Sequence, residues 1–190
     1  MSHTHKFDPA NKGRLTDPER RQILNPDVVL GLLPIAVGQN VADVGCGVGY
    51  FTIPLARRVR PGIVYAFDIL PEMVQATSKA VDDAFVDNVQ VALSGESAIP
   101  LPDSAVDGVL LSFVLHEAEN TVAFFQELRR ILTVGGWLAV IEWQKKETEV
   151  GPPLKVRLSP EECQQLASNA GFRPEPVQVV NDLHYLQIFR

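Results

Sequence analysis

A glycine-rich stretch, V-A-D-V-G-C-G-V-G-Y-F at Val41–Phe51, constrains the fold of this chain more than any other feature. A short apolar run, Val41–Val44, precedes it, and a helical pattern follows it through about Arg58. Glycines at positions 45, 47 and 49 let the backbone turn sharply and approach a ligand closely. The following helix presents unpaired backbone N–H groups, which favour a carboxylate or a phosphate. The stretch therefore predicts a strand, a ligand-binding loop and a helix in succession.

Strand and helix signals then alternate along the chain. Four further strands are predicted at Ile63–Phe67, Val89–Leu93, Val106–Phe113 and Trp137–Trp143, the last entered through a turn at Gly135-Gly136, and helices are predicted at Pro71–Ala84 and after Asn120. Alternation of this kind predicts a parallel sheet with helices on both faces. The almost continuous apolar run Val106–Phe113 is typical of a strand covered on both faces.

The C-terminal segment departs from this alternation. Ser159–Glu162 form a capping box that begins a helix, and Gly171 ends it. Two last strands, Val177–Val180 and Leu183–Phe189, are separated by only Asn181-Asp182, which is too short for a parallel crossover. The predicted fold is therefore α/β, a doubly wound seven-stranded sheet, mostly parallel, with one antiparallel strand in a C-terminal hairpin.

The N-terminal segment, residues 1–25, is polar and is broken by Asp8-Pro9 and Asp17-Pro18. It is predicted to be an extended arm without a lid helix. Asn25 followed by Pro26 is a typical helix start, so the folded domain is predicted to span residues 26–190.

Composition excludes several classes of function. A net charge of −6 argues against nucleic-acid binding. The two cysteines, Cys46 and Cys163, cannot form a disulfide framework, and with the four histidines they show no metal-ligand spacing, so no metal site is expected. No apolar run approaches the ~20 residues of a membrane span, and the polar start M-S-H-T-H-K-F-D-P does not resemble a signal peptide. We therefore expect a cytoplasmic protein without membrane insertion.

Asp68 ends the second predicted strand, 23 residues beyond Gly45. A carboxylate at that place can accept two hydrogen bonds from a ribose diol. The glycine loop and the carboxylate of Asp68 together predict a cofactor that contains a nucleoside. A dinucleotide fingerprint, G-x-G-x-x-G, would require glycine at position 50, where the chain has Tyr50.

The pattern instead resembles motif I of the class I S-adenosylmethionine-dependent methyltransferases, D-x-G-x-G-x-G, with Asp43 as its acidic residue. Three later segments, Ser94–Asp107, Leu110–Glu117 and Glu127–Leu138, are similar to further blocks of that family. The resemblance covers about residues 26–190 and is strongest to the small branch that includes the ubiquinone/menaquinone biosynthesis methyltransferases. It implies a Rossmann-like sheet, S-adenosylmethionine as cofactor and methyl transfer as activity.

The resemblance and the chemistry of the cofactor together indicate which residues would contact it. Asp68 would bind the ribose, the loop and helix N–H groups the carboxylate of the amino-acid tail, and Glu96, in place of the usual aspartate, the adenine amine. Ile69 and Met73 would line the adenine slot, and Asp43 would orient the loop or reach the ammonium group through water. The full predicted set is Asp43, Gly45, Cys46, Gly47, Gly49, Asp68, Ile69, Met73, Gly95, Glu96, Ser97 and Ser112.

No obligatory catalytic motif is expected, because the cofactor supplies the reactive methyl group and the protein positions the acceptor. The N-P-P-Y tetrad of adenine and glutamine methylation is absent, since Ser112–Leu115 stand in its place. His116 is a candidate general base or a structural loop residue, and Glu142 is a second candidate.

The acceptor is predicted to be a small molecule under a short flap; a protein partner that covers an open site is the alternative. Two segments are expected to border it: the arm with Phe7, Arg14 and Leu15, and the stretch from Gly151 through Arg157. Two alternatives stay open at this point, an NAD(P)-dependent oxidoreductase and a non-catalytic scaffold or activator subunit with the same fold. The sequence also leaves open whether the protein forms a homo-oligomer.

Overall fold

A computed structural model of the chain describes Gly13 and residues 18–190. Over these residues the helices are α1 (Pro18–Ile23), α2 (Pro26–Leu30), α3 (Thr52–Val59), α4 (Pro71–Asp83), α5 (Thr121–Ile131) and α6 (Pro160–Asn169). The strands are β1 (Val41–Val44), β2 (Val64–Asp68), β3 (Val89–Leu93), β4 (Val106–Ser112), β5 (Leu132–Trp143), β6 (Gln178–Val179) and β7 (His184–Phe189). In the described part of the chain, no helix is both long and apolar enough to cross a membrane.

The seven strands form one sheet in the order β3-β2-β1-β4-β5-β7-β6. β1 to β5 are mutually parallel, and β7 runs antiparallel to both of its neighbours. The sequence-based prediction of a doubly wound, mostly parallel sheet with one reversed strand is confirmed. Because β1 to β5 are parallel, the loops after them all leave from one edge of the sheet, called the carboxyl edge below.

Two apolar layers enclose the sheet. On one face, α2 and α3 bury Val29, Leu30, Leu55 and Val59 against the strands. On the other face, α5 and α6 cover the sheet with buried residues that include Phe124, Phe125, Leu128 and Cys163. The central strand β1 is buried at all four positions, as expected for a strand between two helical layers.

The chain before residue 26 differs from the prediction. Residues 18–23 form the helix α1 instead of extended chain, and Leu24 is only 2% exposed. The side chain of Asn181 in the C-terminal hairpin donates to the carbonyl of Ile23 at 2.8 Å. The burial of Leu24 and the hydrogen bond from Asn181 hold this part of the arm against the domain. The domain boundary at residue 25 stays a prediction.

The start of β5 also differs from the prediction. Gly135 and Gly136 lie inside β5, which begins at Leu132 directly after α5. The register with β4 shifts between the pairs Val106–Leu132 and Gly108–Trp137, so the β5 residues between them bulge out of the ladder. Gly135 has φ +82° and lies in this bulge. The predicted turn at Gly135-Gly136 is therefore a bulge within a strand.

Candidate active site

The glycine loop at the end of β1 is fixed by close packing. Gly45, Gly47 and Gly49 have φ values of +75°, +57° and +81°. A Cβ atom on Gly45 would lie 2.2 Å from Cγ2 of Val114, so only glycine fits there. The amides of Gly45 and Cys46 donate to the carbonyl of Phe67 at 2.8 and 2.9 Å. The loop is thereby tied to β2, its neighbour in the sheet.

Asp68 joins the end of β2 to this loop. Its Oδ2 accepts the amide of Gly47 at 2.9 Å, and its Oδ1 accepts the amide of Leu70 at 3.0 Å. The residue is 8% exposed. Burial raises the pKa of its carboxyl, against the lowering effect of the backbone hydrogen bonds. Each carboxylate oxygen has a further lone pair, so Asp68 can accept two more hydrogen bonds from a bound ligand.

Asp43 lies on β1 just before the loop and is 1% exposed. Its Oδ2 accepts the hydroxyl of Thr52 at 2.6 Å, whereas its Oδ1 is buried without a hydrogen-bond partner. Burial raises the pKa of the Asp43 carboxyl to about 7; the Thr52 hydrogen bond lowers it and the charge of Asp68 raises it further. A buried acceptor without a partner is uncommon in folded proteins, and a cationic or N–H group of a ligand would satisfy it.

Two hydroxyl residues that sequence reasoning missed support the loop. Thr52, at the start of α3, orients Asp43. Thr77 on α4 donates to the carbonyl of Gly47 at 2.8 Å. The sequence places both threonines in predicted helices. No sequence pattern indicates their hydrogen bonds to Asp43 and to the carbonyl of Gly47.

The other predicted cofactor residues lie around this loop in different environments. Met73 and Cys46 are buried, and Ile69 is 40% exposed. Burial raises the pKa of the Cys46 thiol, so this side chain is a neutral filler. Ser112 is half-buried at the end of β4, and Gly95 and Ser97 are exposed in the turn after β3.

Glu96, in the same turn, binds the backbone just before α5. Its carboxylate accepts the amides of Glu119 and Asn120 at 3.1 and 2.9 Å, directly before α5. These bonds leave one lone pair on each oxygen for another donor. The contact with an adenine amine that the resemblance implies stays a prediction.

His116 and Glu142 form a buried pair at the carboxyl edge. His116 lies in a short 3-10 helix, Leu115–Glu117, after β4, and Glu142 lies near the end of β5. The Nδ1 atom of His116 is 3.0 and 2.9 Å from the two carboxylate oxygens of Glu142. The side chains are 4% and 0% exposed. Since a carboxylate can only accept, Nδ1 carries a proton, and in the neutral imidazole the lone pair is on Nε2.

The pKa of His116 reflects this pairing. Burial lowers the pKa, but the charge and hydrogen bond of Glu142, helped by Glu117, more than offset that effect and raise it above the ordinary histidine value. Nε2 lies 3.8 Å from the Glu117 carboxylate, whose side chain is 23% exposed. The sequence presents His116 and Glu142 as separate candidates, and the structure joins them in one hydrogen-bonded pair.

A cluster of three rings lies on the other face of the same edge. Phe113, directly after β4, has φ +60°, which L-residues rarely adopt. Its ring centroid is 5.7 Å from that of Trp143 and 5.0 Å from that of His184, and the last two are 4.5 Å apart. His184 is 4% exposed, and its Nδ1 has no hydrogen-bond partner.

The helix α1 approaches this aromatic cluster from outside. The Arg20 guanidinium lies 4.2 Å from the ring centroid of Tyr50 and 5.9 Å from that of Phe113. The Tyr50 hydroxyl donates to the carbonyl of Leu24 at 2.6 Å. Tyr50, which stands where a dinucleotide fingerprint would require glycine, therefore connects the glycine loop to the arm.

The predicted acceptor segments are only partly described. Phe7, Arg14 and Leu15 lie outside the described residues. Arg157 is 3% exposed and holds the loop after β5 together through the carbonyls of Gln144, Lys146, Val150 and Pro152 and the hydroxyl of Thr148. Its guanidinium is 5.3 Å from the Trp143 ring centroid. Over the residues that the structure describes, no group of three or more His, Cys, Asp or Glu side chains could hold a metal ion.

Comparison with known proteins agrees with this geometry. Residues 42–140 match the methyltransferase domain family. Demethylmenaquinone methyltransferase of Listeria welshimeri is 30% identical over 112 residues, which are 58% of this chain and 48% of that protein. The ubiquinone/menaquinone biosynthesis C-methyltransferase of Hahella chejuensis is 31% identical over 113 residues, 58% of this chain and 45% of that protein. The chain thus spans about half the length of these curated relatives.

Among solved structures, a SAM-dependent methyltransferase from Aquifex aeolicus aligns with 97% of this chain and 98% of its own, at 34% identity and a TM-score of 0.93. This chain therefore belongs to the methyltransferase domain family. The sequence-based resemblance to class I S-adenosylmethionine-dependent methyltransferases is confirmed, and with it S-adenosylmethionine as the cofactor.

Proposed function

We propose that this protein is an enzyme that transfers a methyl group from S-adenosylmethionine to a small-molecule acceptor. The observation that carries the proposal is the contact of Asp68 with the Gly47 amide, 2.9 Å, which brings a ribose-binding carboxylate and the glycine loop together. A side chain in place of Gly45 would collide with Val114, so the position of this loop is fixed by its close packing on the chain after β4. The methyltransferases named above support the assignment, and none of them supports an oxidoreductase.

The polar groups around the glycine loop match the polar groups of S-adenosylmethionine. Asp68 would accept the ribose hydroxyls with its remaining lone pairs. The unpartnered Oδ1 of Asp43 would face the ammonium group of the amino-acid tail, directly or through water. The turn with Gly95, Glu96 and Ser97 would border the adenine. When bound, S-adenosylmethionine supplies an electrophilic methyl group whose bond to the positive sulfur breaks as an acceptor lone pair attacks in line.

The protein's own contribution to the reaction is to position the acceptor and to remove its proton. In our proposal His116 is the general base: Nδ1–H is held by Glu142, and the lone pair of Nε2 takes the proton from an O–H, N–H or acidic C–H acceptor. Glu142 is then a positioning residue, because its carboxylate fixes the tautomer and stabilises the imidazolium that forms. This arrangement replaces the hypothesis that Glu142 is itself the base.

The names of two relatives and the net charge support a small-molecule acceptor. The two Listeria and Hahella relatives are named for small quinone-type molecules, and a net charge of −6 disfavours nucleic acid. The free cysteines Cys46 and Cys163, both buried, support a reducing, cytoplasmic location.

Isothermal titration with S-adenosylmethionine, S-adenosylhomocysteine and NAD tests the cofactor part of the proposal. We expect the first two to bind and NAD not to bind. Binding of NAD alone, or of none of the three, would overturn the proposal in favour of an oxidoreductase or a scaffold.

A methyl-labelling screen tests the acceptor part. The protein is incubated with S-adenosylmethionine labelled in its methyl group and with cell extract separated into metabolites and macromolecules. Label in the metabolite fraction is expected, with none when a His116→Gln variant replaces the wild type at neutral pH. Label only in macromolecules would contradict a small-molecule acceptor.

A further inference from the structure

Asp43 has one carboxylate oxygen without a partner beside the cofactor loop. The residue is 1% exposed and lies two positions before Gly45. Its Oδ2 accepts the Thr52 hydroxyl, and its Oδ1 has no hydrogen-bond partner. Buried side-chain polar atoms normally have a partner, so this exception needs an explanation.

The described surroundings of Asp43 offer no compensating positive charge. Its partners in the neighbouring strands β2 and β4 are Ala66 and Leu110, which are aliphatic. The hydroxyls from α3 and α4 are neutral, and burial raises the pKa of the Cys46 thiol in the loop, so that thiol is neutral as well. Among the described residues, the charged group that acts on Asp43 is another carboxylate, Asp68.

This environment favours the protonated form of Asp43 in the cofactor-free protein. A buried ionisable group without a charged partner changes its protonation state and becomes neutral. Burial raises the pKa of the Asp43 carboxyl to about 7, against the lowering effect of the Thr52 hydrogen bond, and the charge of Asp68 adds to the increase. At pH 6 most molecules of the free protein therefore hold a proton on Asp43.

An ammonium group reverses this preference. It carries three N–H donors and no lone pair, whereas a protonated carboxyl presents an O–H donor and an ionised carboxylate only accepts. An ammonium group beside Oδ1 of Asp43 therefore favours the ionised form, because it supplies both a donor and a positive charge. The amino-acid tail of S-adenosylmethionine carries such a group.

We propose that binding of the cofactor's ammonium group drives a proton from the Asp43 carboxyl into solvent, so that the two groups bind as an ion pair. This inference rests on the proposed function and deepens it. The O–H bond of the carboxyl breaks, the ammonium group keeps its three protons, and the released proton goes to the buffer. Cofactor binding should then become tighter as the pH rises towards 7 and should level off above it.

Isothermal titration at pH 6 counts the released protons. The wild type is titrated with S-adenosylhomocysteine in MES and in Bis-Tris, whose heats of ionisation differ, and the difference in measured heat gives the protons released per ligand bound. S-adenosylhomocysteine has the same amino-acid tail as the cofactor. Its deamino analogue, in which hydrogen replaces the α-amino group, keeps the adenine, the ribose and the carboxylate and serves as the matched control ligand.

We expect S-adenosylhomocysteine to release about 0.9 proton at pH 6 and to bind with a Kd about tenfold lower at pH 8 than at pH 6, given the Asp43 pKa of about 7 in the free site. The deamino analogue should release none. Equal release by the two ligands would overturn the inference, because the contacts that they share, such as that of the ribose with Asp68, would then be the source of the proton.

A pair of variants assigns the proton to its residue. Asp43→Asn keeps the shape of the side chain and should release no proton, with the same Kd at pH 6 and pH 8. Asp83→Asn, which changes an exposed partner of Lys79 on α4, should behave as the wild type does. Circular dichroism verifies that both variants are folded. Undiminished proton release by folded Asp43→Asn would overturn the inference.

The same titration separates the inference from the proposed function. Binding of S-adenosylhomocysteine to the wild type without proton release at pH 6 overturns the inference alone. Failure of S-adenosylhomocysteine to bind overturns both.

Discussion

The imidazole of His116 and the carboxylate of Glu142 are joined by Nδ1 distances of 3.0 and 2.9 Å, although 26 residues separate them in the chain. The backbone amides of His116 and Trp143 also donate to this carboxylate, each at 3.2 Å. Glu142 therefore fixes both the ring and the loop that carries it.

Glu142→Gln is expected to lower the pKa of His116, because a neutral amide does not stabilise the imidazolium as a carboxylate does. The amide removes the negative charge that raises the pKa, while the desolvation that lowers it remains. NMR of the imidazole resonances between pH 4 and 9 measures the change. Glu117→Gln is the matched control and should give a smaller shift, because Glu117 is 3.8 Å from Nε2 and partly exposed. A pKa of His116 that is the same in the wild type and in Glu142→Gln would show that the pairing does not set it.

The Asp43 carboxyl is expected to make stability depend on pH. Its folded-state pKa of about 7 lies above the ordinary value of 3.8, so the folded state holds the proton more tightly. The stabilisation is complete below about pH 4 and is lost as the pH rises through 7. Relative to Asp43→Asn, the wild type should lose about 2 kcal/mol of unfolding free energy between pH 5 and 7.

Urea unfolding of the cofactor-free protein at several pH values measures this difference. Asp87→Asn, which changes a carboxylate that is 80% exposed, is measured in parallel as the surface control. A constant difference between the wild type and Asp43→Asn would mean that Asp43 is ionised throughout this range.

Asp68→Ala is expected to weaken binding of S-adenosylhomocysteine by about 1–3 kcal/mol, because charged hydrogen bonds to the ligand are lost. The variant also releases the Gly47 amide from its acceptor. Calorimetric titration gives the affinity, and circular dichroism verifies the fold. Asp83→Ala, at an exposed aspartate that pairs with Lys79, is the control and should bind as the wild type does. An unaltered affinity of Asp68→Ala would remove this residue from the site.

Gly45→Ala is expected to destabilise the protein more than Gly38→Ala. Both glycines have positive φ, +75° and +86°, but a Cβ meets Val114 at 2.2 Å in the first case and nothing within 4 Å in the second. Backbone strain alone should cost Gly38→Ala about 1 kcal/mol, and the collision should cost Gly45→Ala roughly 1–3 kcal/mol more.

Urea unfolding of both variants and of Gly45→Ala/Val114→Ala gives the comparison. The second substitution makes room for the new methyl group, so it should recover part of the loss. Equal costs for the two glycine variants, or no recovery, would show that Val114 yields without strain.

Much of the fold was predictable because local signals agree with it. The strand predicted at Val41–Val44 matches the structure, and the capping box at Ser159 begins α6 as predicted. The short link Asn181-Asp182 correctly required β6 and β7 to be antiparallel. By contrast, the polar residues 18–23 gave no periodic signal, and α1 forms over them because Leu24 and the hairpin fix the chain.

The cofactor loop was predictable for the same reason, because its signal is local: the glycine stretch Val41–Phe51 and Asp68 at the end of β2. The pairing of His116 with Glu142 was not, because a hydrogen bond between distant residues leaves no periodicity. Their placement at the ends of two strands that are adjacent in the sheet was the one available signal. The position of Arg20 over Tyr50 had none, since it depends on how α1 packs.

The reversed direction of β7 has a consequence for hybrid proteins. It places His184 beside Trp143 at the end of β5, so the half of the sheet that carries His116 and Glu142 is completed entirely by chain beyond β3, while Asp43 and Asp68 come from before it. A splice between Leu93 and Val106 would therefore exchange the His116–Glu142 pair between relatives and keep the glycine loop and Asp68 of the original chain.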